Sequence, residues 1–255
     1  MAGTVIAAFP NAYRYGMSED EAVDFALQEL DYQFATVTDP SDTPAFIIEP
    51  VQGDGGYLPV PDRFLQGLEE RAREHNILLI VDETQAGVGR TGKFCAHQHS
   101  GVSPDVIITA KGLASGFPIS AIAASTQLMS KALPGSQGGT YGGNAVSAAA
   151  AVETFSVIED EGLVDNAAAR GKQLHTGLRS LQEKYGLVGD VRGREPDPYT
   201  ARRVQQHAVD QRLLLLTCGP LGNVIRVVPA LTVSSDEINL ALNAFDKTLD
   251  AIVVQ

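Results

Sequence analysis

Lys111 follows an apolar run at 106–109, and Asp82 follows another at 77–81, so two reactive side chains stand 29 residues apart at the ends of strand-like segments. A lysine there is unusual, because Lys is almost never fully buried without a partner. Desolvated at a strand end, its amine has a lowered pKa and is a nucleophile toward aldehydes. An aspartate on a neighbouring strand end can pair with a pyridinium nitrogen and keep the ring protonated as an electron sink. Schiff-base lysine plus aspartate is the usual protein contribution to pyridoxal phosphate (PLP) chemistry. Two other readings fit the same residues: a surface lysine that snorkels, and an Asp82-Glu83 pair that caps a helix or lies on the surface.

Other spacings imply other chemistry. Gly87-Val-Gly-Arg-Thr-Gly92-Lys93 matches the G-x4-G-K of a phosphate loop, with Asp82 as a magnesium-holding acid. Phe94 then stands where Ser or Thr must hold the cation, and the match begins six residues after the strand, beyond the acid pair. These departures argue against a nucleotide hydrolase. Cys95, His97 and His99 lack the further ligands of a zinc site, so no metal is expected. Cys95 and Cys218 are far apart, with no CxxC, which excludes a disulfide scaffold and suits a reducing cytosol.

The elements that must position these residues alternate. Apolar runs at 43–49, 77–81 and 105–109 read as buried strands, and 119–125 as a weaker fourth. A helix is expected over 61–76, where Pro61 opens it and Phe64, Leu65, Leu68 and Ala72 share one face. Continuous apolar strands separated by helix-length segments indicate parallel pairing with both faces covered. The carboxyl ends of such strands are where ligands bind. Helices are expected over 144–159 and 163–185, with a Gly- and Pro-rich boundary at 186–198. Beyond it come a helix at 199–211, an apolar run at 213–217, a strand at 224–228 and a final helix opened by a Ser234/Glu237 capping box.

Composition bounds the function. With 44% hydrophobic and 20% charged residues, the 255-residue chain affords a core without disulfide or metal. The net charge is −12, and the first 62 residues hold eleven acids against one base, Arg14, which reads as a solvated face. An acidic chain without a basic stripe argues against nucleic acid and against an anionic membrane surface. No apolar run approaches the ~18–20 residues of a membrane span, and 3–9 is too short for a signal core. A cytoplasmic location is expected.

The stretch from Ile80-Val-Asp82-Glu83-Thr-Gln85-Ala-Gly87-Val-Gly-Arg-Thr-Gly92 through Pro104-Asp105-Val-Ile-Ile-Thr-Ala-Lys111-Gly112 closely resembles the signature of class III PLP-dependent aminotransferases. Upstream, Glu49-Pro-Val-Gln52-Gly-Asp-Gly-Gly56 is similar to a segment of the 4-aminobutyrate branch. Downstream, Gly138-Gly-Thr140-Tyr-Gly-Gly-Asn144 resembles the family's glycine-rich threonine loop, and Asn223-Val-Ile-Arg226-Val-Val-Pro229 its substrate-carboxylate strand. The similarity runs from Phe9 nearly to the end.

The resemblance implies an α/β protein of PLP-dependent transferase fold type I. Residues 1–185 would be a partial cofactor-binding large domain with a mainly parallel sheet, and 186–255 a reduced α+β C-terminal domain. The implied function is transamination of an amine, foremost an ω-amino acid such as 4-aminobutyrate, to a keto acid. Lys111 would bond the cofactor and shuttle the proton, Asp82 hold the pyridine nitrogen, and Gln85 lie near the phenolic oxygen. Thr140 would reach the cofactor phosphate of the partner subunit in a homodimer. Arg226 would bind the substrate carboxylate, and Glu49 would mask Arg226 when an ω-amino group is bound. Family members are much longer at the N-terminus, so the main phosphate loop, the residue stacking on the ring and much of the substrate entrance are expected upstream of this sequence. At Val191-Arg-Gly193-Arg194-Glu-Pro a strand of the small domain is expected to be missing. Alternatives are a catalytically inactive fragment or non-catalytic subunit, and a decarboxylase or racemase on the same fold.

Overall fold

The structure, a computed structural model, describes residues 3–136, 138–189, 191 and 198–253. In chain order the strands are β1 (Ala45–Ile48), β2 (Val51–Gln52), β3 (Leu58–Pro59), β4 (Leu78–Asp82), β5 (Val106–Thr109), β6 (Ala121–Ala124), β7 (Leu216–Cys218) and β8 (Val224–Arg226). The helices are α1 (Ala12–Tyr15), α2 (Glu19–Thr36), α3 (Asp62–His75), α4 (Thr126–Met129), α5 (Ala145–Asp160), α6 (Leu163–Lys184), α7 (Pro198–Asp210) and α8 (Ser235–Val253). They fall into two compact units, Met1–Pro50 with Val60–Glu161, and Val51–Pro59 with Gly162–Gln255.

In the first unit the apolar runs pair as a sheet of order β1-β4-β5-β6. β1, β4 and β5 are parallel, and the register sets Asp82 beside Ile108. β6 returns antiparallel to β5. Only residues 110–120 connect the two, fewer than the dozen or more a parallel crossover takes. Strand alternation buries Leu79 and Val81 on one face and leaves Leu78, Ile80 and Asp82 half-buried on the other. The covered face meets α3 through Phe64, Leu65, Leu68 and Ala72, with Val23, Ala26 and Leu30 of α2 in the same core. Each Val, Leu or Phe among them contributes about 1.5–3 kcal/mol when fully buried.

The expectation of two covered faces is corrected. Ile47 is 65% exposed on β1 and Ile122 55% exposed on β6. Among the described residues α3 packs on one side of β1 and β4 with α2 against it, and the side bearing Asp82 is only partly covered. The acidic leader is largely α2, opened by a Ser18/Glu21 capping box. Part of its charge is spent on α3: Arg63 Nη1 lies 2.8 Å from Asp24, and Arg71 grips Asp31 through both carboxylate oxygens at 2.6 Å.

In the second unit β2 and β3 form one antiparallel hairpin, and β7 and β8 another. α6, α7 and α8 enclose a core of Tyr185, Val204, Ala208, Phe245, Leu249 and Ile252. The capping box at the start of α8 is present: Ser234 N–H donates to Glu237 Oε2 at 2.8 Å, and Glu237 N–H to Ser234 Oγ at 3.2 Å. The compact units divide after Glu161, which places α6 in the second. The reason is packing: α6 is bound to α8 by Gln173, which reaches Ser235 and Asn239, and by Lys184 and Tyr185, which reach Asp246. The departure expected at 192–196 lies outside the described residues. Among the described residues no helix is long and apolar enough to cross a membrane.

Candidate active site

Asp82 ends β4 half-buried, and its Oδ1 accepts the Thr84 N–H at 2.9 Å, which folds the chain back after the strand. Glu83 N–H continues the sheet by donating to the Ile108 carbonyl at 2.8 Å. One strand over, β5 stops at Thr109, and Lys111 opens a 3₁₀ turn, Lys111–Ala114. Lys111 has φ 45°, a left-handed conformation costly for a residue with a Cβ. Leu113 and Ala114, buried with Ala151 of α5, hold the turn in place. Lys111 Nζ donates to Gln85 Oε1 at 2.5 Å. Lysine and aspartate thus come from the carboxyl ends of two adjacent parallel strands, and Gln85 from the turn after β4. One expectation is corrected: Lys111 is exposed rather than desolvated, because the left-handed turn carries it past the end of β5.

Glu83, the neighbour of Asp82, is 1% exposed and absent from the sequence-derived site. Its Oε2 accepts the Ala96 N–H at 2.9 Å, and its Oε1 accepts the His97 N–H at 2.9 Å and the His97 ring Nδ1–H at 2.8 Å. The Cys95 sulfur completes a group whose ligand atoms lie within 4.8 Å of one another. Burial, with the Glu83 charge adding to it, pushes the Cys95 thiol up to about 11. Period-2 alternation was the available signal: a strand ending in two acids sends them to opposite faces. Lys93 is exposed beyond Gly92.

Thr140 is exposed in the turns before α5, where Asn144 caps the helix by accepting the Val146 and Ser147 N–H groups. Glu49 is exposed just after β1. In the second unit Arg226 lies on β8 opposite Leu216, half-buried, with Nη1 3.7 Å from Asp54 Oδ1. Asp54 was not singled out from sequence. Its turn is held near β8 because the Gly219 N–H donates to the Asp54 carbonyl at 3.0 Å.

The aminotransferase class-III family model matches residues 2–249. The chain belongs to the class III aminotransferases. It is 36% identical to the 4-aminobutyrate aminotransferase GabT of Escherichia coli K12, over 98% of this chain and 61% of that protein. It is 38% identical to the 5-aminovalerate aminotransferase DavT of Pseudomonas putida KT2440, over 90% of this chain and 56% of the relative. An acetylornithine aminotransferase of Corynebacterium efficiens is 42% identical over 87% of the chain and 55% of its own length. Among solved structures, an amine transaminase from an uncultivated Pseudomonas species in its PLP-bound form superposes with TM-score 0.89 at 28% identity, covering 98% of this chain and 62% of that one. This class III chain therefore spans about 60% of the length of the relatives it matches. PLP is the cofactor of the family, and the fold is that of the PLP-dependent transaminases.

Proposed function

We propose that the chain carries the lysine and the cofactor acid of an aminotransferase that moves an amino group from an ω-amino acid, such as 4-aminobutyrate, to a keto acid. The observation that supports this reading is the tie from Lys111 to Gln85 beside Asp82, at the carboxyl ends of β4 and β5. An amine for an aldehyde carbon, a carboxylate for a pyridine nitrogen and an amide beside them are a donor set that fits PLP. When bound, its protonated ring supplies a sink for the electron pair left at the substrate carbon.

The chain's own residues supply the rest. Lys111 would anchor the cofactor and, once free, carry a proton between the substrate carbon and the cofactor as general base and acid. Gln85 orients the Lys111 amine. Asp82 keeps a proton on the ring nitrogen by charge pairing. Arg226 holds a substrate carboxylate. Thr140 contributes to the phosphate site of a partner subunit, which makes a homodimer the working form, in the cytoplasm. The relatives' names make 4-aminobutyrate, 5-aminovalerate and acetylornithine the donors to compare.

Borohydride reduction of the chain with PLP, followed by peptide mapping, is expected to label Lys111 and leave Lys93 unlabelled. Transfer from the three donors to a keto acid is measured alongside. Label on Lys93, or undiminished label in Lys111→Ala, refutes the lysine assignment. Label on Lys111 without transfer from any donor supports the non-catalytic subunit instead.

A further inference from the structure

We propose that Glu83 is a positioning residue: its buried carboxylate locks the one-turn segment 83–87 that carries Gln85, and through Gln85 it sets the Lys111 amine. The inference rests on Lys111 being the reactive amine of the proposed site. Adjacent acids at the end of β4 then divide the work, Asp82 toward the partly covered face and Glu83 toward the covered one.

The segment is pinned at its base by every polar group of Glu83. The backbone N–H is tied to Ile108 on β5, and the carbonyl accepts the Gly87 N–H at 2.9 Å to close the turn. The carboxylate takes its three donors from Ala96 and His97. The closure is tight, since a Cβ at Gly87 would come 2.8 Å from the Glu83 carbonyl oxygen and 3.0 Å from its Cβ. Gln85 rides on this turn and receives Lys111 Nζ. An amide at position 83 has one acceptor oxygen and a donor NH₂, so it cannot accept from all the groups that now face the carboxylate. One N–H would meet an N–H, and a buried unmatched donor is costly enough to shift the turn. A metal held by Glu83, Cys95 and His97 is the competing use of the cluster. It is disfavoured because both Glu83 carboxylate oxygens already accept backbone N–H groups, and the His97 ring nitrogen that faces the cluster is engaged with Glu83.

The test reads the Lys111 amine directly and needs no cofactor. The full chain is acylated with trace acetic anhydride, and labelling of Lys111 is scored by peptide mapping against exposed Lys93. Glu83→Gln is expected to raise the Lys111/Lys93 ratio about three- to tenfold, the range of one weakened hydrogen bond. Gln85→Ala is expected to raise it at least as far, and adding Glu83→Gln to Gln85→Ala to change nothing more, as for residues acting through one link. Leu68→Ala, a core change in α3, controls for general loosening and leaves the ratio unchanged. Where Glu83→Gln does not fold, His97→Ala decides, since it removes one donor of three and is expected to give a smaller rise. An unchanged ratio in the folded Glu83 or His97 variant overturns the proposal, as does an equal rise in Leu68→Ala, or additive effects of Glu83→Gln and Gln85→Ala. Stoichiometric Zn²⁺ binding that blocks Cys95 alkylation also overturns it, in favour of a metal site. The outcome is separable from the aminotransferase reading, which fails only if reduction with PLP misses Lys111.

Discussion

Replacing Asp82 by Asn separates its structural role from its chemical one. In the folded chain Asp82 Oδ1 accepts the Thr84 N–H at 2.9 Å. An asparagine keeps that oxygen, so the turn after β4 survives and the urea midpoint stays at the parent value. What is lost is the negative charge that the proposed site sets against the ring nitrogen. A hydrogen bond involving a charged group contributes about 1.5–3 kcal/mol, which at about 1.4 kcal/mol per decade is one to two decades of PLP affinity. Asp82→Ala loses the same charge and also the Thr84 contact, so it weakens PLP equally and costs about 0.5–1.5 kcal/mol of fold stability in addition. The assay is a PLP titration followed by absorbance of the bound cofactor, run beside urea unfolding. If Asp82→Asn binds PLP as tightly as the parent while Asp82→Ala does not, the aspartate matters only as a turn former. The pyridine assignment is then refuted.

Gly87→Ala is expected to destabilise by about 1–3 kcal/mol, as overpacking does, because the new methyl meets backbone at Glu83; calorimetry reads the loss, and an unchanged transition contradicts the tight closure. Arg71 beside Asp31 holds that carboxyl below its ordinary value, so its contribution is complete above the ordinary carboxylate range and fades as pH falls through the depressed folded value. Acid titration of stability should therefore be less steep in Asp31→Asn than in the parent, and identical slopes rule the pair out as a contributor. Exposed Ile47, Phe117, Ile122 and Leu133 in the first unit lead to the expectation that the purified chain self-associates. Light scattering tests this, and a monodisperse monomer with one cooperative melt contradicts it.

The apolar runs and the helical stripe of α3 were legible because strand and helix periodicity are local properties. So were the ends of β4 and β5, which sufficed to place Asp82 and Lys111 on neighbouring strands. α2 carries a Ser18/Glu21 cap, but its acids outweigh a stripe of mostly small residues, Ala22, Val23 and Ala26, so periodicity does not mark it. The tertiary structure alone decided which acid of the Asp82-Glu83 pair is buried. Glu83 is satisfied by Ala96 and His97, a contact thirteen and fourteen residues away that leaves no mark on local pattern. The same holds for Asp54 beside Arg226, and for α6, which joins the second unit because it packs on α8 late in the chain. Lys111 shows the division most plainly. Sequence determined that this lysine stands beyond a buried strand. Packing of Leu113 and Ala114 on α5 determined that it turns left-handed, reaches solvent and meets Gln85, because a side chain's direction past a strand end depends on what covers the next turn.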